Sequence, residues 1–286
     1  MTRWTHAATR SSILAGLVVV ACAGARPLAS TSSSDTEPQR AGEHGVDATR
    51  ARRDVTGDAS ARDAAGTTST HDVPSGVLLL PVEGFEPAVV VAPPDARAVP
   101  LLVATHGAGG TPEWECERWA KVAKNRWFLL CPRGTALRRG EAGSYYYPDH
   151  HALEREVRAA VDAARGTFGA RLASEHGVYV GYSQGATMGA LMLVDHGAPF
   201  PHLLLIEGGS GDWTLARAQR FRATGGKSVF IVCGTEGCAQ RAARAKPVLE
   251  RAGLTASVEV TPGGGHTELG EVGTRAEKLL ETLVFR

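Results

Sequence analysis

The chain from about residue 74 to the C-terminus is predicted to form an α/β domain, with helices on both faces of a mostly parallel sheet. Short apolar runs alternate with segments of helical spacing, and the later runs are apolar throughout rather than at every second position. Two strands at the front are followed by repeated strand–helix–strand units, which place neighbouring strands parallel. The strand-like runs are 76–81, 88–92, 101–105, 127–131, 178–182, 202–206, 228–233 and 257–260.

The segments between these runs carry the predicted helices. Within 152–168 the apolar residues recur every three or four positions and mark one buried stripe. Helices are also predicted over 184–195, 239–252 and 271–283. Only 207–227 separate the sixth strand from the seventh, which is too short for a cap domain. We therefore expect a shallow, open site at this end of the sheet.

Residues 1–21 are predicted to be a signal peptide. Arg3 and Arg10 make the start basic, and the apolar run that follows, 13–21, is too short for a comfortable membrane span. The sequence Val-Val-Ala-Cys that ends at Cys22 resembles a bacterial lipobox. This resemblance implies cleavage before Cys22 and a lipid on its sulfur, so that the protein is exported and held at the cell envelope.

Ordinary cleavage near Ala25 is the alternative, and it would give a secreted or periplasmic protein without an anchor. Residues 22–73 are mainly Ala, Ser, Thr, Gly, Asp and Arg without a repeating apolar face. Such a segment buries too little apolar surface to offset its ordering entropy, so a disordered linker is predicted there.

The net charge indicates which partners to expect, and the cysteine count indicates whether disulfides form. The formal net charge is +1, and the folded part has no run of one sign, so we expect no nucleic acid and membrane contact only through the lipid. Apart from Cys22, four cysteines remain in a chain that is predicted to be exported. Two disulfides are expected, with three possible connectivities.

The sequence Gly-Tyr-Ser-Gln-Gly over 181–185 lies directly between a predicted strand and a predicted helix. A nucleophile on such a tight turn has a strained backbone, and the small residues Gly181 and Gly185 leave room for it. The turn also places Ser183 at a helix N-terminus, where backbone N–H groups favour negative charge. A glycine-rich turn that only packs a buried helix is the structural alternative.

A glycine-rich loop, His-Gly-Ala-Gly-Gly over 106–110, follows the third predicted strand. Acyl transfer requires donors that meet a developing oxyanion, and backbone N–H groups usually supply them. We expect Gln184, the residue after the serine, and Ala108 to donate, with Gly109 in reserve. The spacings typical of phosphate-binding loops are absent from this sequence.

His266 follows the last predicted strand on the loop Pro-Gly-Gly-Gly-His. A histidine that comes after the nucleophile in sequence and precedes the final helix is well placed to act as its general base. Asp149, His150 and His151 are adjacent, but neighbouring histidines do not easily face one point, so no metal is expected.

Together, the glycine loop, the serine turn and the late histidine resemble the α/β-hydrolase superfamily, in particular small dienelactone-hydrolase-like and depolymerase-like carboxylesterases. The resemblance covers about residues 76–286. It implies an α/β-hydrolase fold with an eight-stranded sheet and hydrolysis of esters without a cofactor. Ser183 would attack, His266 would move the proton, and water would cleave an acyl-enzyme.

The third member of the expected triad is harder to assign. The family has an Asp shortly after the seventh strand, but here the only carboxylate in that stretch is Glu236, about one position early. Some family members take the acid from the end of the sixth strand, where Glu207 lies, with Asp212 further on. Glu236 is the preferred acid, Glu207 and Asp212 are alternatives, and a chain without an acid is the remaining option.

The positions of the cysteines favour one pairing. Cys131 and Cys233 each end a strand at the same edge of the sheet, Cys116 begins the helix after the glycine loop, and Cys238 lies five residues past Cys233. Cys116 can therefore reach Cys131, and Cys233 can reach Cys238. Buried free thiols are the alternative.

The sequence thus predicts a serine hydrolase, with a carboxylesterase on small or exposed esters, polymer ends included, as the first hypothesis. A catalytically silent protein that binds a ligand or an envelope component is the second, because the acid is uncertain. A peptidase that uses the same serine chemistry is the third.

Overall fold

The computed structural model describes residues 76–95, 97–138, 143–173, 177–196 and 200–284. The predicted signal peptide, 1–21, the predicted linker, 22–73, and the lipidation site Cys22 lie outside these residues. They remain predictions.

An eight-stranded sheet forms the centre of the domain, in the order β1-β2-β4-β3-β7-β8-β9-β10. β2 is antiparallel to both β1 and β4, and every other neighbouring pair is parallel. The strands are β1 (Gly76–Leu80), β2 (Ala88–Ala92), β3 (Leu101–Thr105), β4 (Phe128–Cys131), β7 (Val178–Tyr182), β8 (His202–Ile206), β9 (Ser228–Cys233) and β10 (Thr255–Val260). The predicted mostly parallel sheet is confirmed.

Helices cover both faces of this sheet, as predicted. α1 and α6 pack on one face, and α2, α3, α4 and α5 pack on the other. Alternate residues of β3 show why its sequence is apolar throughout: Leu101 and Val103 enter one core, and Leu102 and Ala104 enter the other. The helices are α1 (Pro112–Ala123), α2 (His150–Phe168), α3 (Gln184–His196), α4 (Leu215–Ala223), α5 (Glu236–Arg251) and α6 (Gly270–Val284).

Side-chain caps fix the starts of four of these helices. Thr111, Asp149, Thr214 and Thr235 each accept a hydrogen bond from the backbone N–H three residues further on. The cap at Thr235 starts α5 at Glu236, three residues before the predicted start. This earlier start affects where the Glu236 side chain lies.

The short hairpin after β4 and the helix α4 were not predicted from the sequence. The connection after β4 folds into a short hairpin of β5 (Thr135–Ala136) and β6 (Tyr145–Tyr146). α4 was missed because only Ala218 and Phe221 of its nine residues are buried, so its apolar pattern is weak. α4 is also the only helix within 207–227, all of which are described, so no cap domain is inserted there, as predicted.

Both predicted cysteine pairs lie at bonding distance in the structure. The Sγ atoms are 2.06 Å apart in Cys116–Cys131 and 1.97 Å apart in Cys233–Cys238. The first pair ties α1 to the end of β4, and the second ties the end of β9 to the first turn of α5. None of the helices in the described ranges is both long and apolar enough to cross a membrane.

Candidate active site

The predicted site residues gather at one edge of the sheet. β3, β7, β8, β9 and β10 are parallel, and each is followed at its carboxyl end by a segment that carries a candidate residue or supports one. In open α/β sheets this edge is where ligands bind. The strand order therefore brings together residues that are far apart in the sequence.

Ser183 occupies the turn between β7 and α3 with a φ of 49°, a left-handed conformation that side chains rarely adopt. Its N–H donates to the Ile206 carbonyl at 2.8 Å, which fixes the turn against β8. The flanking glycines are sterically required. A Cβ at Gly185 would lie 2.5 Å from the Thr105 carbonyl oxygen, and one at Gly181 would lie 2.6 Å from a backbone nitrogen of α3.

The turn places Ser183 directly against His266. Ser183 Oγ and His266 Nε2 are 2.7 Å apart, within hydrogen-bond range. His266 lies on the loop between β10 and α6, and 54% of its side chain is exposed. The hydroxyl and the imidazole thus meet at an open surface, as the absence of a cap over this edge leads one to expect.

The far nitrogen of the imidazole faces Glu207. His266 Nδ1 and Glu207 Oε2 are 3.1 Å apart. Glu207 directly follows β8, has a φ of 53°, and leaves only 1% of its side chain exposed. Its Oε2 also accepts from the Thr235 hydroxyl at 2.8 Å, and its Oε1 accepts from the backbone N–H groups of Gly234 and Thr235. Four donors around two oxygens match the capacity of a carboxylate, which only accepts.

This geometry corrects the preference for Glu236 as the carboxylate partner of His266. Glu236 is exposed on the first turn of α5, where it accepts a hydrogen bond from Gln240 Nε2 at 2.9 Å. Asp212 is 3.9 Å from an arginine of α4. The alternative candidate Glu207 takes the position because β8 lies next to β7, the strand that leads to Ser183.

The backbone N–H groups of the two preferred oxyanion donors have no acceptor among the described residues. Within the described residues, neither Ala108 nor Gln184 donates its backbone N–H to another group. Gly109, the reserve candidate, donates instead to the Tyr145 carbonyl at 2.8 Å. The hairpin β5–β6 thus uses this donor, a correction that the sequence could not supply because the hairpin was not predicted.

No protein-family model matches the sequence, and no curated protein matches it. Solved structures are similar to it. One is TT1662 from Thermus thermophilus, at 20% identity and a TM-score of 0.56, over 73% of this chain and 98% of that one. Others are the Bacillus cereus carboxylesterase (23% identity, TM-score 0.51, 68% and 93% covered) and the Pyrococcus horikoshii acylaminoacyl peptidase (13%, 0.53, 74% and 41%).

The fold is that of the α/β-hydrolases. At these identities the likeness establishes the fold alone, so activity has to be argued from the site of this chain. The chain spans nearly the full length of TT1662 and of the carboxylesterase, but less than half of the acylaminoacyl peptidase.

In this α/β-hydrolase fold, His106 is the first residue of the glycine loop, and its buried side chain supports that loop. It is 1% exposed, its ring stacks on Tyr147, and its two nitrogens lie 2.8 Å from the Gly107 carbonyl and 2.9 Å from the Arg133 carbonyl. Burial lowers the pKa of His106 despite these two acceptors. His106 is therefore a buried structural support for the loop that carries Ala108.

A buried ionic cluster joins α1 to the loop between β10 and α6 that carries His266, which we call the histidine loop. Arg118 Nη2 donates to the Glu268 carbonyl at 2.7 Å, and its Nη1 is 3.3 Å from the Glu268 carboxylate. Glu115 Oε1 accepts from Trp119 Nε1 at 2.7 Å, and burial raises the pKa of the Glu115 carboxyl group. Burial, together with the Glu115 charge and against the pull of Arg118, raises the pKa of Glu268 to about 9. Glu268 is therefore protonated at neutral pH.

One group of described residues has the composition of a metal site. Glu207, Cys233 and Cys238 place one oxygen and two sulfur atoms within 4.8 Å of one another. The two sulfurs are bonded to each other, and the carboxylate oxygens already accept four hydrogen bonds. These atoms have no capacity left for a cation, so the group does not fit a metal.

Proposed function

We propose that this protein is a serine hydrolase that cleaves carboxylic esters through an acyl-enzyme. The observation that carries the proposal is the chain of contacts from Ser183 Oγ to His266 Nε2, at 2.7 Å, and from His266 Nδ1 to Glu207 Oε2, at 3.1 Å. A hydroxyl, an imidazole and a buried carboxylate in this order are the parts of a serine triad.

Each residue has a defined role in the proposed reaction. Ser183 attacks the ester carbonyl while His266 removes its proton, and the imidazolium then protonates the leaving alcohol. Glu207 holds the tautomer of His266 with its proton on Nδ1 and stabilises the imidazolium. The N–H groups of Gln184 and Ala108 receive the oxyanion, aided by the N-terminus of α3. His266 then removes a proton from water as the water attacks the acyl-enzyme, and the imidazolium returns this proton to Ser183 as the acid leaves.

The open site favours small esters, or esters exposed on a larger molecule, over substrates that need a deep pocket. More than half of the His266 side chain is exposed, and a single nine-residue helix, α4, lies where a cap would be inserted. Esters with short acyl chains, or those at the ends of a polymer, fit a surface of this kind. The carboxylate beside His266 supports this proposal over the alternative of a catalytically silent binding protein, which was kept because the acid was uncertain.

The deciding experiment compares the wild type with Ser183→Ala on p-nitrophenyl acetate and with a fluorophosphonate probe. We expect the wild type to turn over the ester and to take one label per chain, and the variant to do neither. A folded wild type that stays unlabelled refutes the proposal. Ester and amide substrates with the same acyl group separate an esterase from a peptidase.

We also propose that the protein is exported and lipid-anchored at Cys22. Two disulfides are typical of chains outside the cytoplasm, and they support export but not the anchor. Expression with labelled palmitate tests the anchor. We expect the wild type to take the label and to be recovered with the membrane, and Cys22→Ala to do neither. A wild type that takes no label and stays out of the membrane fraction would contradict the anchor and favour cleavage near Ala25.

A further inference from the structure

Tyr182 connects the serine turn to the backbone of the histidine loop. Its phenolic O–H donates to the His266 carbonyl oxygen at 2.9 Å, and its ring centroid lies 5.5 Å from that of the imidazole. Tyr182 is also the residue directly before Ser183, so it belongs to the same strained corner of the backbone. One residue therefore contacts the proposed base while being covalently attached to the proposed nucleophile.

The histidine loop needs such a contact. Three glycines, 263–265, precede His266, and its half-exposed side chain is not enclosed by a core. Gly265 N–H donates to the Gly234 carbonyl at 3.2 Å, and Arg118 holds the Glu268 carbonyl on the other side. Between these two anchors, the carbonyl of His266 itself is held by Tyr182.

We propose that Tyr182 is a positioning residue, which fixes the imidazole of His266 between Ser183 and Glu207. The inference rests on the proposed function. A small movement of the loop would misalign the imidazole with Ser183 and Glu207. The Tyr182 hydrogen bond opposes such a movement, because it ties the loop to the turn that sets the position of the Ser183 hydroxyl.

The phenol remains a donor throughout the working range of pH. Burial, together with the nearby charges of Glu268, Glu207 and Glu115, raises the pKa of Tyr182 to about 12. The hydrogen bond to the His266 carbonyl is therefore present at every pH at which an esterase would be assayed.

The test is Tyr182→Phe, which keeps the ring beside His266 and removes only the hydroxyl. We expect kcat on p-nitrophenyl acetate to fall by about tenfold and KM to stay within about twofold, because only the geometry of proton transfer changes. The downfield proton resonance of His266 Nδ1–H, assigned by its loss in His266→Gln, should broaden or disappear. A purely structural role would lower thermal stability and leave this resonance in place.

Tyr179→Phe is the matched control. It removes a buried phenol of the same strand, which donates to the Gly185 carbonyl at 2.8 Å and does not contact His266. We expect the control to keep the downfield resonance. The proposal is overturned if Tyr182→Phe keeps either its resonance or its kcat, or if the control also loses the resonance. Should the wild type hydrolyse no ester, the proposed function fails, and the resonance alone then decides the role of Tyr182.

Discussion

Replacing Glu207 by Gln should disable the site by forcing the wrong tautomer on His266. Glu207 Oε1 accepts from two backbone N–H groups, those of Gly234 and Thr235, so the amide oxygen of Gln must stay there. The amide nitrogen then takes the place of Oε2, 3.1 Å from His266 Nδ1. Because that nitrogen can only donate, Nδ1 must accept, and the proton moves to Nε2. His266 can then no longer accept the Ser183 proton.

The size of the loss follows from the exposure of the imidazole. Replacing the buried triad Asp of a serine protease by Asn, which has the same effect on the tautomer, costs about 10⁴-fold in kcat. Because about half of the His266 side chain is exposed, water can stabilise the productive tautomer for part of the time. We therefore expect a loss on the order of 10³-fold, or about 4 kcal/mol of transition-state stabilisation. The Thr235 hydroxyl can rotate to accept from the amide, so the free energy of unfolding should change by only about 1 kcal/mol.

The assay measures kcat and KM for p-nitrophenyl acetate and the urea unfolding of each variant. Glu236→Gln is the control, since Glu236 is exposed and contacts Gln240 rather than His266. It should stay within about twofold of the wild type. The reasoning is refuted if Glu207→Gln keeps more than a tenth of the activity, or if Glu236→Gln shows the larger loss.

Two further predictions concern stability and the cysteine pairs. Because the pKa of Glu268 is raised from 4.5 to about 9 in the folded chain, folding takes up a proton in this window, and the free energy of unfolding should fall as pH rises through it. Glu268→Gln should show a shallower fall between pH 5.5 and 8.5 in urea titrations, and parallel curves would contradict this. Replacing Cys233 and Cys238 by Ser should lower kcat, because their bond closes the turn whose backbone N–H groups hold the Glu207 carboxylate. The same change at Cys116 and Cys131 should lower the free energy of unfolding in urea by about 3 kcal/mol and leave kcat nearly unchanged. Equal effects of the two double replacements on kcat would contradict this prediction.

Much of the fold and two of the three residues of the proposed triad follow from local sequence. Apolar runs alternating with helical spacing determine a parallel sheet, because a helix that connects two strands makes those strands parallel and covers a face of the sheet. Ser183 is recognisable because its turn needs small neighbours within two residues. His266 follows from its place after the last strand, and both cysteine pairs follow from strand ends that share one edge.

Local sequence does not identify the acid, because Glu207 and Glu236 each lie within a few residues of a strand end at the correct edge. Only the tertiary structure decides between them: β8 lies next to the strand of Ser183, and the cap at Thr235 begins α5 so that Glu236 points to solvent. The use of Gly109 by the hairpin and the reach of Tyr182 to His266 are decided in the same way. A sequence determines conformations that a few neighbouring residues dictate, whereas contacts between distant strands depend on directions that only the packed chain fixes.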